Sequence, residues 1–80
     1  MLTKAAHIEW CKERARAHLS TGNVQAAVMG FLKDLQSHPE PASDDGLACC
    51  RIAWAIAPTG LTIAAMDNSE EARRFVEAQI

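Results

Sequence analysis

Several features that mark common protein classes are missing from this 80-residue sequence. It has no tyrosine, two tryptophans and two phenylalanines, and its four glycines do not form a phosphate-binding loop. Eight basic residues against ten acidic ones give a net charge of −2, which argues against direct binding to nucleic-acid phosphates. The longest apolar run is interrupted by Arg51 and is too short to span a bilayer, and the first residues lack the apolar stretch of a signal peptide. We therefore expect a cytoplasmic protein that does not bind membranes.

Cysteine and histidine are present, but not in a pattern that indicates chemistry. Three cysteines are an odd number, and Cys11 alone with Cys49 beside Cys50 does not resemble a secreted disulfide framework, so we expect reduced thiols. His7, Cys11 and His18 project in similar directions from one helix, yet Cys11 and His18 are about 10 Å apart along its axis. The CxxC and HExxH spacings of strong metal sites are absent. A Cys11–His7 nucleophile lacks an orienting group. We predict no metal, no cofactor and no enzyme.

The sequence is rich in alanine and nearly half hydrophobic, which favours close-packed helices. A chain of this length buries only about 60% of its unfolded surface, so residues 1–80 are expected to form one small helical domain with a thin core. The fold class that we predict is all-α, with four helices and an apolar central third helix.

That third helix is predicted from the stretch Leu47–Ala57, whose only charge is Arg51. Ser43 or Asp44 can cap its start, and Pro58 is expected to end it. At about 100° per residue, two nearly opposite apolar stripes follow. One contains Leu47, Cys50, Trp54 and Ala57, and the other contains Cys49, Ile52, Ala53 and Ile56. We expect both sides to be covered, so that Trp54→Ala costs about 3 to 5 kcal/mol and Ile52→Asp prevents folding.

The first two helices follow from capping residues and apolar periodicity. Thr3 caps a helix over 4–20, and its predicted buried stripe consists of Ala5, Ile8, Cys11, Ala15 and Leu19. Gly22 turns the chain, and Asn23 caps a second helix over about 24–37. Its buried face is predicted to contain Val24, Ala27, Val28, Phe31, Leu32 and Leu35.

The last helix is indicated by the capping box that Asn68 and Glu71 form. Its apolar face is predicted to consist of Ala72, Phe75, Val76 and Ile80. The preceding segment, 61–66, fits either a helical turn or an extended strap, and the sequence leaves both open.

Two groups of residues are candidates for contact with a partner. Trp10 projects away from the buried stripe of the first helix, with Glu13, Arg14 and Ala17 beside it. It either covers the edge of the core or anchors a partner or a second copy in a homodimer. The second group is acidic and would form one surface if the two loops that contain it lie together; otherwise these charges only cap helices. It comprises Glu40, Asp44, Asp45, Asp67, Glu70 and Glu71.

Four short segments carry a resemblance to a known group of proteins. They are Glu9-Trp10-Cys11-Lys12-Glu13-Arg14-Ala15, the Gly22-Asn23 turn, Asp34-Leu35-Gln36-Ser37-His38-Pro39-Glu40 and, more weakly, Glu70-Glu71-Ala72-Arg73-Arg74-Phe75-Val76. The chain resembles short proteins of tailed phages and prophages, whose middle section is often rich in Met rather than in Ala, Cys and Ile. The resemblance implies a phage or mobile-element origin and a cytoplasmic location in the bacterial host. Small accessory proteins of that origin commonly bind and block host machinery, and anti-CRISPR proteins are one such class.

The resulting hypothesis is a non-enzymatic protein that inhibits a host defence complex, most concretely a multisubunit CRISPR effector. The alternative is a small DNA-associated regulator or recombination accessory protein that uses its first two helices as a helix-turn-helix. The second helix would then have to read bases with Gln25, Lys33, Asp34 and Gln36, of which only one is basic.

Overall fold

The computed structural model describes residues 3–79, which fold into four α-helices without a strand. This confirms the predicted small all-α fold. The helices are α1 (Lys4–Ser20), α2 (Val24–Leu35), α3 (Asp44–Met66) and α4 (Ser69–Glu77).

Each helix begins at a side chain that accepts hydrogen bonds from otherwise unpaired backbone amides. The N-cap residues are Thr3, Asn23, Ser43 and Asn68. Three of them are as predicted, and Ser43 is one of the two residues that the sequence left open for α3. Ser43 Oγ accepts from the amide of Gly46 at 3.0 Å. Asn68 Oδ1 accepts from the amides of Glu70 and Glu71 at 3.0 and 3.1 Å.

The helical hairpin of α1 and α2 supplies most of the core. Gly22 adopts a φ of +77° at the turn, and its amide donates to the carbonyl of Leu19 at 3.0 Å. All six residues predicted for the buried face of α2 are buried, and four of the five predicted for α1 are buried. The exception is Ala5, which is exposed because it lies at the edge of the stripe in the first turn.

Helix α3 is longer than predicted, because Pro58 lies inside it rather than at its end. A proline inside a helix leaves the carbonyl four residues earlier, here that of Trp54, without its usual donor. Trp54 and Pro58 are both exposed, so water can hydrogen-bond to this carbonyl. The segment that the sequence left open, 61–66, is therefore the last part of α3.

Helix α3 packs against α2, α1 and α4 through one side only. This side is made of small residues with one isoleucine, namely Gly46, Cys49, Ala53, Gly60, Ile63 and Ala64. A Cβ atom at Gly60 would lie 3.0 Å from Phe75 Cζ and 3.2 Å from Leu32 Cδ1, so α2 and α4 approach the backbone of α3 closely. Ile52 and Ile56 are only partly buried at the margin of this contact.

Helix α4 covers the end of the core with the buried residues Ala72, Phe75 and Val76. The ring of Phe75 meets that of Phe31 edge to face, with centroids 6.2 Å apart. Ile80, which was predicted for the same face, lies outside the described residues.

Candidate protein-interaction surface

The side of α3 that faces away from the rest of the protein carries large apolar side chains. Trp54 is 70% exposed, Leu61 52% and Leu47 44%. The prediction that both stripes of this helix are covered, with Trp54 in the core, is therefore wrong. We call the stripe opposite the packed side the outward face; it consists of Leu47, Arg51, Trp54, Pro58, Leu61 and Ala65.

The outward face is continuous along the helix. Its members are spaced alternately by four and three residues, so they stay within about 40° of one line on the helix surface. Trp54 alone exposes on the order of 150 Å², and Leu47 and Leu61 bring the apolar area to on the order of 350 Å². A patch of this size on a small monomer commonly marks an interaction site.

Met66 is also exposed, at 57%, but it lies about 100° away from the line of the outward face. Sequence reasoning missed Leu61 and Met66 because it ended the helix at Pro58. A signal was available in the regular seven-residue spacing of Leu47, Trp54 and Leu61, which continues past the proline.

Trp10, the tryptophan predicted as a candidate anchor, is partly held by its own chain. It is 42% exposed. Its ring stacks on the buried ring of His7, with centroids 5.5 Å apart, and the guanidinium of Arg14 lies 4.8 Å above it. Trp10 thus covers the edge of the core while one part of it remains at the surface.

The structure places Trp10, Glu13, Arg14 and Ala17 on one exposed face of α1, as predicted. Arg14 is already engaged, because its Nε donates to Asp34 Oδ2 at 2.8 Å. Asp34 is buried and unavailable to read bases, which removes one of the four side chains of the helix-turn-helix hypothesis.

A polar cluster links α1 to α2, and sequence reasoning missed it. His7 is 1% exposed, and its Nε2 is 2.7 Å from the carbonyl oxygen of Asp34. The ring of His38, also buried, lies 4.9 Å from that of His7. The only available signal was spacing, because His7 precedes the buried Cys11 by four residues.

The acidic residues do not form one surface. Glu40, Asp44 and Asp45 lie at the start of α3, whereas Asp67, Glu70 and Glu71 follow its end. A helix of 23 residues separates the two groups by about 34 Å.

Some of these carboxylates already have partners within the chain. Asp45 Oδ1 accepts from the backbone amide of Lys4 at 2.9 Å. Glu70 and Glu71 both pair with Arg74 at 3.1 Å. The helix-capping alternative therefore accounts for the acidic residues better than a shared acidic surface.

The thiols have the character of buried apolar groups. All three cysteines are free, with Cys11 and Cys49 buried and Cys50 half-buried. Burial, reinforced by nearby Asp34 and Cys49, raises the pKa of Cys11 to about 12. Burial and Asp45 raise the pKa of Cys49 as well. Both thiols are thus protonated and unreactive at neutral pH.

Among residues 3–79, no group of three His, Cys, Asp or Glu side chains is placed to hold a metal ion. A cleft of about 390 Å³ lies between α1 and α4 and contains Arg16, Arg73 and Glu77 in its lining. Arg16 donates to both carboxylate oxygens of Glu77, at 2.8 and 3.0 Å, so its charge is paired.

Helix α3 is long and apolar enough to cross a membrane by length and composition, with a mean hydropathy of 1.5 over its most apolar window. The sequence argument that the apolar run is too short is therefore wrong, because it ended the run at Pro58. A core helix passes the same test, and one side of α3 is packed against the other three helices. The absence of membrane binding stays a prediction.

No protein-family model, no curated protein and no solved structure matches this chain. The four helices define the class of this protein as small and all-α, with a long apolar third helix. The resemblance to phage proteins stays a prediction.

Proposed function

We propose that this protein is a non-enzymatic binding protein that acts by covering a surface on another protein. The observation that supports this proposal is the outward face of α3, where Trp54 is exposed by 70% between two exposed leucines. Tryptophan is among the residues most enriched at the energetic centres of interfaces. An outward face that served only solubility would carry polar side chains at these positions.

In its most concrete form, the partner is a host defence complex, and the protein is an anti-CRISPR inhibitor of a multisubunit effector. The support for this form is the resemblance to short phage and prophage proteins. We assign the contact to the outward face rather than to the acidic residues, because those residues lie at opposite ends of α3 and several are paired within the chain.

The test is a pull-down against purified multisubunit effectors of several types, followed by a target-DNA binding assay. We expect the wild-type protein to bind one effector type and to block its DNA binding. Trp54→Ala should weaken this binding at least about 30-fold, which corresponds to roughly 2 kcal/mol.

Met66→Ala is the matched control, because Met66 is similarly exposed on the same helix but lies off the outward face. It should bind like the wild type. Failure to bind any effector type would refute the anti-CRISPR form, and equal binding by Trp54→Ala and wild type would refute the assignment of the contact to the outward face.

A further inference from the structure

We infer that, before it meets a partner, the outward face is covered by a second copy of this chain, in an antiparallel two-fold dimer centred on Trp54. The inference deepens the proposed function and rests on the same face, since it names what covers this surface in the free protein. The patch of Trp10 and Ala17, for which a homodimer was one of the open alternatives, lies on α1 and takes no part in it.

The first argument is the symmetry of the residue positions. Leu47 and Leu61 each lie seven residues from Trp54, on the same line of the helix surface. A two-fold axis through Trp54 that reverses the second helix therefore places each Leu47 against Leu61 of the second copy. A two-fold interface must be self-complementary in this way, and the three large apolar residues of the outward face meet that requirement.

The second argument is charge. Arg51 is the only charged residue on the outward face. In a parallel pair the two Arg51 side chains would face each other, which is unfavourable. In the antiparallel pair they are about 9 Å apart along the axis, and each lies about 4.5 Å along the axis from Trp54 of the second copy. A guanidinium at that position can stack on the indole, as Arg14 already does on Trp10 within the chain.

Charge also argues against a membrane as the occupant. Asp44 and Asp45 lie at one end of α3 and Asp67 at the other, and the outward face has no row of cations. Helices that lie on anionic bilayers carry Lys and Arg on the sides of their apolar face. An antiparallel second copy instead places the positive end of one helix dipole beside the negative end of the other.

The third argument is area. The apolar side chains together with Pro58, Ala65 and the stem of Arg51 offer on the order of 600 Å² per copy, or about 1,200 Å² in total. This area lies at the low end for specific protein interfaces. We therefore expect a reversible dimer with a dissociation constant on the order of tens of micromolar, which a tighter partner can replace.

Sedimentation velocity between low and high micromolar concentrations tests the dimer. The wild type should shift from monomer to dimer, and Trp54→Ala should stay monomeric at the highest concentration while retaining its helical circular dichroism. Met66→Ala, the matched control, should associate like the wild type. A wild type that is monomeric throughout would overturn the inference, as would a dimer that Trp54→Ala leaves intact.

Cross-linking tests the orientation. In a Cys50→Ala background, the remaining native thiols are buried, so a short bismaleimide reports only on introduced cysteines. A mixture of Leu47→Cys and Leu61→Cys chains should cross-link efficiently, and each variant alone should not. Cross-linking of each variant alone would indicate a parallel pair and overturn the antiparallel assignment.

Flotation with phosphatidylcholine vesicles tests whether a lipid bilayer covers the outward face instead. If monomers bind the vesicles through Trp54, the dimer is overturned in favour of a lipid surface. These outcomes are independent of the effector assay. A dimer without effector binding refutes the anti-CRISPR form of the proposed function alone, and effector binding by a strictly monomeric protein refutes the dimer alone.

Discussion

The two sides of α3 differ in the size of their residues, which are mostly small on the packed side and mostly large on the outward face. The packed side contains Gly46, Ala53 and Gly60, whose small size lets α2, α4 and the preceding loop approach the helix backbone. The outward face carries Leu47 and Trp54, which project into solvent. In an ordinary amphipathic helix the large apolar side chains are buried and the exposed side is polar.

Apolar character alone therefore does not identify the side of a helix that faces the core. Within the chain, the small residues of α3 let neighbouring side chains and the preceding loop lie close to its backbone, so its large apolar residues remain free for contacts with another molecule.

Adjacent residues on the two sides should respond very differently to the same charge. Ala53→Asp places a carboxylate at a position with no solvent exposure, and we expect it to unfold the domain, because a core of this size rarely supplies more than about 3 to 5 kcal/mol. Trp54→Asp should stay folded, with the thermal unfolding midpoint of the isolated monomer nearly unchanged. Circular dichroism melts at low protein concentration compare the two variants. Unfolding of Trp54→Asp would mean that the outward face is needed for the fold.

The need for small residues on the packed side of α3 can be tested by adding one methyl group to a glycine. A Cβ atom at Gly46 would collide with the carbonyl oxygen of Glu40 and would lie 2.8 Å from the Cα of Pro41. Because backbone atoms cannot move aside cheaply, Gly46→Ala should lower the free energy of unfolding by about 1 to 3 kcal/mol.

Gly30→Ala is the control for this substitution, since nothing lies within 4 Å of a Cβ atom there. It should raise stability by up to about 1 kcal/mol through helix propensity. Urea denaturation measures both changes, and a stabilised Gly46→Ala would contradict the close backbone contact.

The two tryptophans should differ in what they contribute to stability. Trp10→Ala removes the stacking on His7 and the contact with Arg14, and we expect a loss of about 1 to 2 kcal/mol. For the monomer, Trp54→Ala should cost less than about 0.5 kcal/mol, well below the 3 to 5 kcal/mol predicted from the sequence. Urea titrations at a concentration below that of self-association give both values. A larger loss for Trp54→Ala than for Trp10→Ala would reverse the comparison.

The smallest effect is expected at an exposed ion pair away from α3. The hydrogen bond from Arg16 holds the pKa of Glu77 below its usual range. A carboxyl group whose pKa is lowered by folding stabilises the protein above its unfolded pKa, and this contribution is lost as the pH falls through its folded pKa. Arg16→Gln should therefore be slightly less stable than wild type at neutral pH and equally stable in acid. Urea midpoints over this pH range test it, and a difference that persists in acid would rule out the Glu77 linkage.

The sequence alone predicted, to within one residue, where the helices begin, and it predicted the buried face of α2 and most of the buried face of α1. The capping bonds of Thr3, Asn23, Ser43 and Asn68 span at most three residues, so their energies depend little on the rest of the fold. The apolar spacing of α2 likewise allows a single buried face. The free thiols also agree with the spacing of the cysteines.

The buried side of α3, its length and the arrangement of the candidate surfaces depend on tertiary packing and could not be predicted from the sequence. Both sides of α3 are apolar, so periodicity cannot tell which one is buried. The buried side is the one whose small residues leave room for side chains of α2 and α4 and for the loop before α3. Pro58 and Trp54 lie on the exposed side of α3, where water can hydrogen-bond to the carbonyl that the proline leaves without its donor, and this exposure depends on how α3 is packed. The separation of the two acidic groups follows from the same cause, since the helix continues past Pro58 and spans the length between them.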